Sequence, residues 1–114
     1  MTFKIVGNNI FITRGDTPTL GFSAAKYDLD LVDNKFLFVV KKLVTDSDDD
    51  IIFQYDTTFN LTTKIAKVPL TSEQTTLTPG KYYWGTKLFI GDTYIQTTNR
   101  GEFVIERGIT DVKL

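Results

Sequence analysis

The chain has 114 residues, 41% of them hydrophobic and 24% charged, with a formal net charge of −1. That length suits a single domain spanning 1–114 with a sizeable core, and the near-neutral balance gives no electrostatic ground for nucleic acid or an anionic membrane as partner. Cysteine and histidine are both absent, which excludes disulfides, thiolate metal sites and thiol nucleophiles and removes the commonest general base near neutral pH.

No apolar run approaches the roughly 20 residues needed to cross a bilayer. The first residues, MTFKIVGNNIF, lack the long apolar core and small-residue cleavage site of a secretory signal, so synthesis in a cytoplasm without export is expected. Along the chain, β-branched and aromatic residues alternate with polar ones, and Gly, Asn and Asp punctuate them. The period is two throughout, and no helix longer than about one turn is expected.

Taken in order, Phe3 to Val6 pairs with a strand from Asn9 to Thr13, and a turn follows at Arg14-Gly15-Asp16. The next strand spans Thr17 to Ala25, with Leu20, Phe22 and Ala24 on one face. A polar stretch leads to Lys35–Val44, the run DSDDD separates that strand from its hairpin partner Ile51–Tyr55, and Thr63 to Leu70 places Ala66, Val68 and Leu70 together. In TSEQTTLTPG, Thr71 or Ser72 can cap one helical turn before Pro79-Gly80 ends it. Lys81 to Ile90 carries Tyr82, Trp84 and Leu88 on one side, Gly91-Asp92 is a hairpin turn, and Tyr94–Thr98 with Gly101–Glu106 completes the sheet, interrupted near Asn99-Arg100-Gly101.

About seven short strands with turns every 8–12 residues predict an all-β antiparallel sandwich, with a small barrel as competitor. The segment LTPGKYYWGTKL puts a turn at Gly80 directly before Tyr82, and Trp84 on the same face. Immunoglobulin-like sandwiches have a tyrosine corner in this setting, so that fold is expected, with Gly80, Tyr82 and Trp84 as its corner and core.

Four segments in order, ITRGDTPTLGFSA, KFLFVVKKL, KVPLTSEQTTLTPGKYYWGTKL and GEFVIERGITDV, resemble the immunoglobulin-like module of tailed-phage and prophage tail proteins. The likeness is to the N-terminal domain of phage baseplate upper proteins. In that family a Gly-Asp-Thr turn precedes a Leu-x-Phe strand, a Leu-Thr segment leads into Gly-x-Tyr, and a Gly-x-Phe-x-Ile strand closes the module. The resemblance implies a non-enzymatic virion component that binds other virion proteins and copies of itself, with no cofactor and no small-molecule substrate. The sequence ends just after the last strand, with no helical stem or receptor-binding domain, so host binding is not expected of it.

The remaining motifs have plainer readings. Asp46, Asp48 and Asp50 have EF-hand spacing, but Ile51 stands where Gly is required and Thr57 where the bidentate Glu belongs, so a solvated loop is expected rather than a metal site. No residues are assigned as catalytic: Glu102 and Glu106 share a strand face at outward positions, and no nucleophile elbow or phosphate loop occurs. Asn60-Leu61-Thr62 reads as the start of a strand rather than a glycan acceptor. Arg14-Gly15-Asp16 is the adhesion tripeptide, yet Ile12 and Leu20 confine it to a short turn in which Gly15 supplies backbone freedom and Asp16 an Asx-type hydrogen bond.

Leu37, Val39, Tyr83 and Val104 are apolar on faces opposite the core. In an immunoglobulin-like arrangement their strands are adjacent, and the four residues form an outward patch of the kind that marks protein contacts. The function expected is therefore a phage or prophage tail or baseplate structural module. The alternative is a β-sandwich adhesin or carbohydrate-binding module using Tyr27, Tyr55 and Tyr94.

Overall fold

The structure, a computed structural model, describes residues 3–25, 30–43 and 51–107. These form eight strands: β1 (Phe3–Val6), β2 (Asn9–Thr13), β3 (Thr19–Ser23), β4 (Asn34–Lys41), β5 (Ile51–Thr57), β6 (Ile65–Pro69), β7 (Gly80–Ile90) and β8 (Thr93–Glu106), with one short helix, α1 (Ser72–Thr75), before β7. Six strands make one sheet in the order β1-β2-β8-β7-β4-β5, and β3 pairs with β6 in a second, smaller sheet. The two sheets pack face to face as a sandwich, not a closed barrel. Val44 and the Asp46–Asp50 run lie outside the described residues.

Alternation accounts for the layers. Among hydrophobic side chains, β4 buries Phe36, Phe38 and Val40, with the intervening residues turned out; β6 buries Ala66 and Val68 and β7 buries Tyr82, Trp84 and Leu88. One cluster joins Ile10, Ile12, Leu20, Phe38, Trp84 and Phe103, and a second joins Leu31, Phe36, Phe59 and Leu88. Phe22 packs against both. Its ring lies 5.4 Å from that of Phe36, 5.7 Å from Phe38 and 5.7 Å from Trp84. A fully buried Phe contributes about 1.5–3 kcal/mol of transfer free energy; the partly buried Phe22 brings the smaller sheet into contact with three buried rings of the larger one.

Three features differ from the sequence reading. First, one pairing is parallel: β2 runs alongside β8, with Ile10 opposite Phe103 and Ile12 opposite Ile105. No crossover helix is needed, because nearly the whole domain separates the two strands in sequence. Second, β8 runs as one strand through Asn99-Arg100-Gly101, and the expected interruption is only a register shift against β7 between Gly85 and Lys87. Third, Asn60 does not begin a strand: its Oδ1 accepts the backbone N–H groups of Thr62 (2.8 Å) and Thr63 (2.9 Å), forming an Asx-type turn ahead of β6.

The segment before β7 is organised by capping and by Tyr82. Thr71 is the N-cap of α1, its hydroxyl accepting from the Gln74 N–H while Gln74 Oε1 accepts from the Thr71 N–H, a reciprocal capping box. The chain then passes Pro79 into β7, and the buried Tyr82 hydroxyl donates to the Thr78 carbonyl at 2.8 Å. Tyr82→Phe removes that donor and leaves the carbonyl to find water. A loss of about 1 kcal/mol is expected, read as a lower urea midpoint with an unchanged slope.

Candidate functional site: the outer sheet face and the Arg-Gly-Asp turn

The outer face of the larger sheet is built by the strands whose other side fills the core. Because Phe36, Phe38 and Val40 point inward from β4, Leu37 and Val39 point outward; Tyr83 does so beside Tyr82 and Trp84, and Val104 between Phe103 and Ile105. All four outward residues are half-buried. Strands β8, β7 and β4 are adjacent in the sheet.

Register sets how the four relate. Val104 lies opposite Lys81 and Tyr83 opposite Glu102, so Val104 and Tyr83 are diagonal neighbours. Val39 lies opposite Gly85 and Lys41 opposite Tyr83, so Val39 is diagonal to Tyr83, and Leu37 follows it opposite Lys87. Diagonal pairs are within reach of an aromatic side chain. The four residues thus form a diagonal stripe, with charged positions on both flanks, rather than an unbroken patch.

Phe11, which the sequence reading passed over, extends the stripe. It lies opposite Val104 across the parallel pairing and carries Lys4 Nζ 5.4 Å above its ring. The signal was available, since core residues Ile10 and Ile12 on either side leave Phe11 turned out. Lys81 pairs with Glu102 at 3.2 Å and Lys35 with Asp56 at 3.8 Å. Such exposed pairs add little stability; here they rim the apolar stripe with both signs of charge.

The Arg-Gly-Asp turn is anchored along its length. Arg14 donates from its backbone N–H to Glu106 O (2.8 Å) and from Nε to Leu77 O (3.0 Å). Gly15, at φ +88°, donates to Thr75 O at 3.4 Å. The Asp16 N–H closes the turn on Thr13 O at 3.1 Å, while the Asp16 carbonyl accepts from the buried Thr75 hydroxyl at 2.6 Å. All three residues are half-buried. An adhesion tripeptide has to be offered on an exposed tip, whereas this one is clamped between the end of β8 and α1 and connects the two sheets.

Other sequence candidates are scattered. Gly80 opens β7 beside the Tyr82 hydrogen bond, and Trp84 Nε1 donates to Asn8 O at 2.8 Å. Glu102 is engaged by Lys81, and its backbone N–H donates to Asn9 Oδ1 at 3.0 Å. Tyr55 packs against the core and Tyr94 tilts over Phe89 with ring centroids 5.4 Å apart, whereas Tyr27 is outside the described residues. Among the described residues no group of three or more Asp and Glu side chains is placed to hold a metal ion, and no helix there is long and apolar enough to cross a membrane. Compared with protein-family models and with curated proteins, the chain matches none of them.

Proposed function

We propose that this chain is an immunoglobulin-like structural module of a tailed-phage or prophage virion, in a tail or baseplate, that works by docking other virion proteins and copies of itself. Support for the fold comes from strand order. A variable-type immunoglobulin sandwich sets its last two strands beside a central hairpin in one sheet, opposite a sheet whose inner pair joins an early strand to a later one. The order β8-β7-β4-β5 opposite β3-β6 follows that plan, and the Tyr82 bond to Thr78 O has the form of a tyrosine corner. Support for the phage assignment comes from the order of the four resembling segments, from the Gly15-Asp16-Thr17 turn through the closing Gly101-x-Phe103-x-Ile105 strand.

The single observation that carries the docking role is the stripe from Phe11 through Val104, Tyr83 and Val39 to Leu37, half-buried and rimmed by charge. A protein interface combines an apolar centre with a polar rim. Replacing Val39 by Asp and Tyr83 by Lys puts two charges in that centre without touching the core. Light scattering is expected to show lost self-association at unchanged circular dichroism. An unchanged mass with an intact fold overturns the reading.

A further inference from the structure

We infer that the edge of β3 turned away from β6 is a docking site for an extended segment of another protein, which adds to the smaller sheet as a third strand. The inference is independent of the outer-face stripe. It starts from hydrogen-bond parity in the β3–β6 pair. Ala24 N–H donates to Lys64 O and Leu70 N–H to Pro18 O, both at 2.9 Å. With Leu20 opposite Val68 and Phe22 opposite Ala66, the even-numbered residues of β3 turn their backbone groups toward β6. By the alternation of an antiparallel ladder, Thr19, Gly21 and Ser23 turn theirs the other way. Among the described residues no backbone group pairs with that outer edge.

The two edges of this small sheet are treated differently. On β6 the outward-turned residues are Ile65, Lys67 and Pro69; proline has no N–H to offer and lysine on an edge discourages pairing. On β3 the outward set is Thr19, Gly21 and Ser23, without charge or proline. Gly21, at the middle of this edge, carries no side chain to hinder an approaching backbone.

Beside that edge lies an open groove lined by Ile5, Ile10, Leu20, Phe22 and Trp84, with Gly21 at its rim and no charged residue among the described residues of its lining. Ile5 is 54% exposed. The groove arises because β1 folds back on β2 at the Gly7-Asn8 turn and so does not cross to pair with β3. Smaller-sheet strand β6 lies nearest β5, so the larger sheet runs on past β3 through β8, β2 and β1. A second copy joined edge to edge at β3 would bring its own overhanging strands into that same space. A lone strand fits instead. Its backbone meets Thr19, Gly21 and Ser23, and its alternate, inward side chains are apolar and cover the groove, the mode known as strand addition.

The test titrates the full chain with a fluorescein-labelled peptide, Ser-Val-Thr-Ile-Thr-Val-Ser, followed by anisotropy and by amide hydrogen exchange. Saturable binding is expected, with exchange slowed at Thr19, Gly21 and Ser23. Gly21→Pro deletes one outward donor while sparing the bonds to β6, as an edge strand allows, and is expected to weaken binding tenfold or more. Ser23→Pro is expected to do the same, guarding against a local distortion peculiar to position 21, while Gly21→Ala binds like the parent. The Val39→Asp, Tyr83→Lys double variant also keeps full peptide binding. Absence of saturable binding, undiminished binding by both proline variants, or slow exchange at the three amides in the free chain would each overturn the proposal. The last outcome would mean that the chain's own residues already occupy the edge.

Discussion

Gly101→Ala is expected to destabilise the domain by about 3 kcal/mol, the upper range for overpacking a tight site combined with the loss of a hydrogen bond. A Cβ built at this glycine would lie 2.0 Å from the Asn8 carbonyl oxygen and 2.7 Å from its carbon. Both are backbone atoms, so no side-chain rotation relieves the overlap and the turn between β1 and β2 must move. That turn is held from the same side, because Trp84 Nε1 donates to Asn8 O at 2.8 Å. Moving it breaks the bond and uncovers the indole. Trp84 is the chain's single tryptophan, so the damage is directly visible as red-shifted emission, alongside a lower urea midpoint. Gly21→Ala is the matched control, since its added Cβ meets nothing within 4 Å; a change within about 0.5 kcal/mol is expected there. Equal effects at the two glycines would refute the close-approach account.

Gly101 also shows where sequence reasoning stops. Asn99-Arg100-Gly101 carries turn signals, and read locally it breaks a strand. The glycine is there because a carbonyl from the other end of the chain approaches it, and nothing in the neighbouring residues encodes that contact. The same division holds elsewhere. Alternation located the strands and sorted inward Phe36, Phe38, Tyr82 and Trp84 from outward Leu37, Val39 and Tyr83, because burial with period two is a local pattern. It could not choose which edge β2 would join, and so left the parallel pairing with β8 hidden. Nor could it give register, which turned the expected outward patch into a diagonal stripe between Lys81, Glu102, Lys41 and Lys87.

The Arg-Gly-Asp turn follows the same logic with the opposite result. Two flanking core residues, Ile12 and Leu20, were enough to confine it, and their local pattern was sufficient to expect a short connector. Its anchoring is nonetheless long-range: Thr75, Leu77 and Glu106 supply the partners. The turn and α1 therefore act as one unit closing the end of the sandwich. The Gly7-Asn8 turn, by contrast, packs partway along β7 and β8, against Gly101 and Trp84.

Asn34→Asp is expected to cost about 3 kcal/mol or more at neutral pH, the range for an uncompensated buried charge. Asn34 is buried at the start of β4, where its Nδ2 donates to Leu31 O (2.7 Å) and Phe59 O (3.2 Å) while its Oδ1 accepts from the Phe59 N–H (2.7 Å). One side chain thereby ties β4 to the segment after β5 and seats Phe59 against Phe36, their ring centroids 4.7 Å apart. The aspartate is nearly isosteric, so packing is conserved and only the two donors change. An ionised carboxylate would face two carbonyl oxygens, and both burial and repulsion raise its folded-state pKa above the unfolded value. The sign follows: unfolding releases the proton more readily, so the variant's stability is best below the unfolded pKa of about 4 and falls as pH rises through the folded pKa. Urea midpoints for parent and variant are therefore expected to converge toward pH 4 and to separate toward pH 7. Asn34→Leu, which loses the same hydrogen bonds without introducing a charge, is expected to show a gap that does not change with pH. A gap for Asn34→Asp that stayed constant from pH 4 to 7 would show that the carboxyl reaches solvent, and that the Leu31–Asn34–Phe59 clasp does not hold the two segments together.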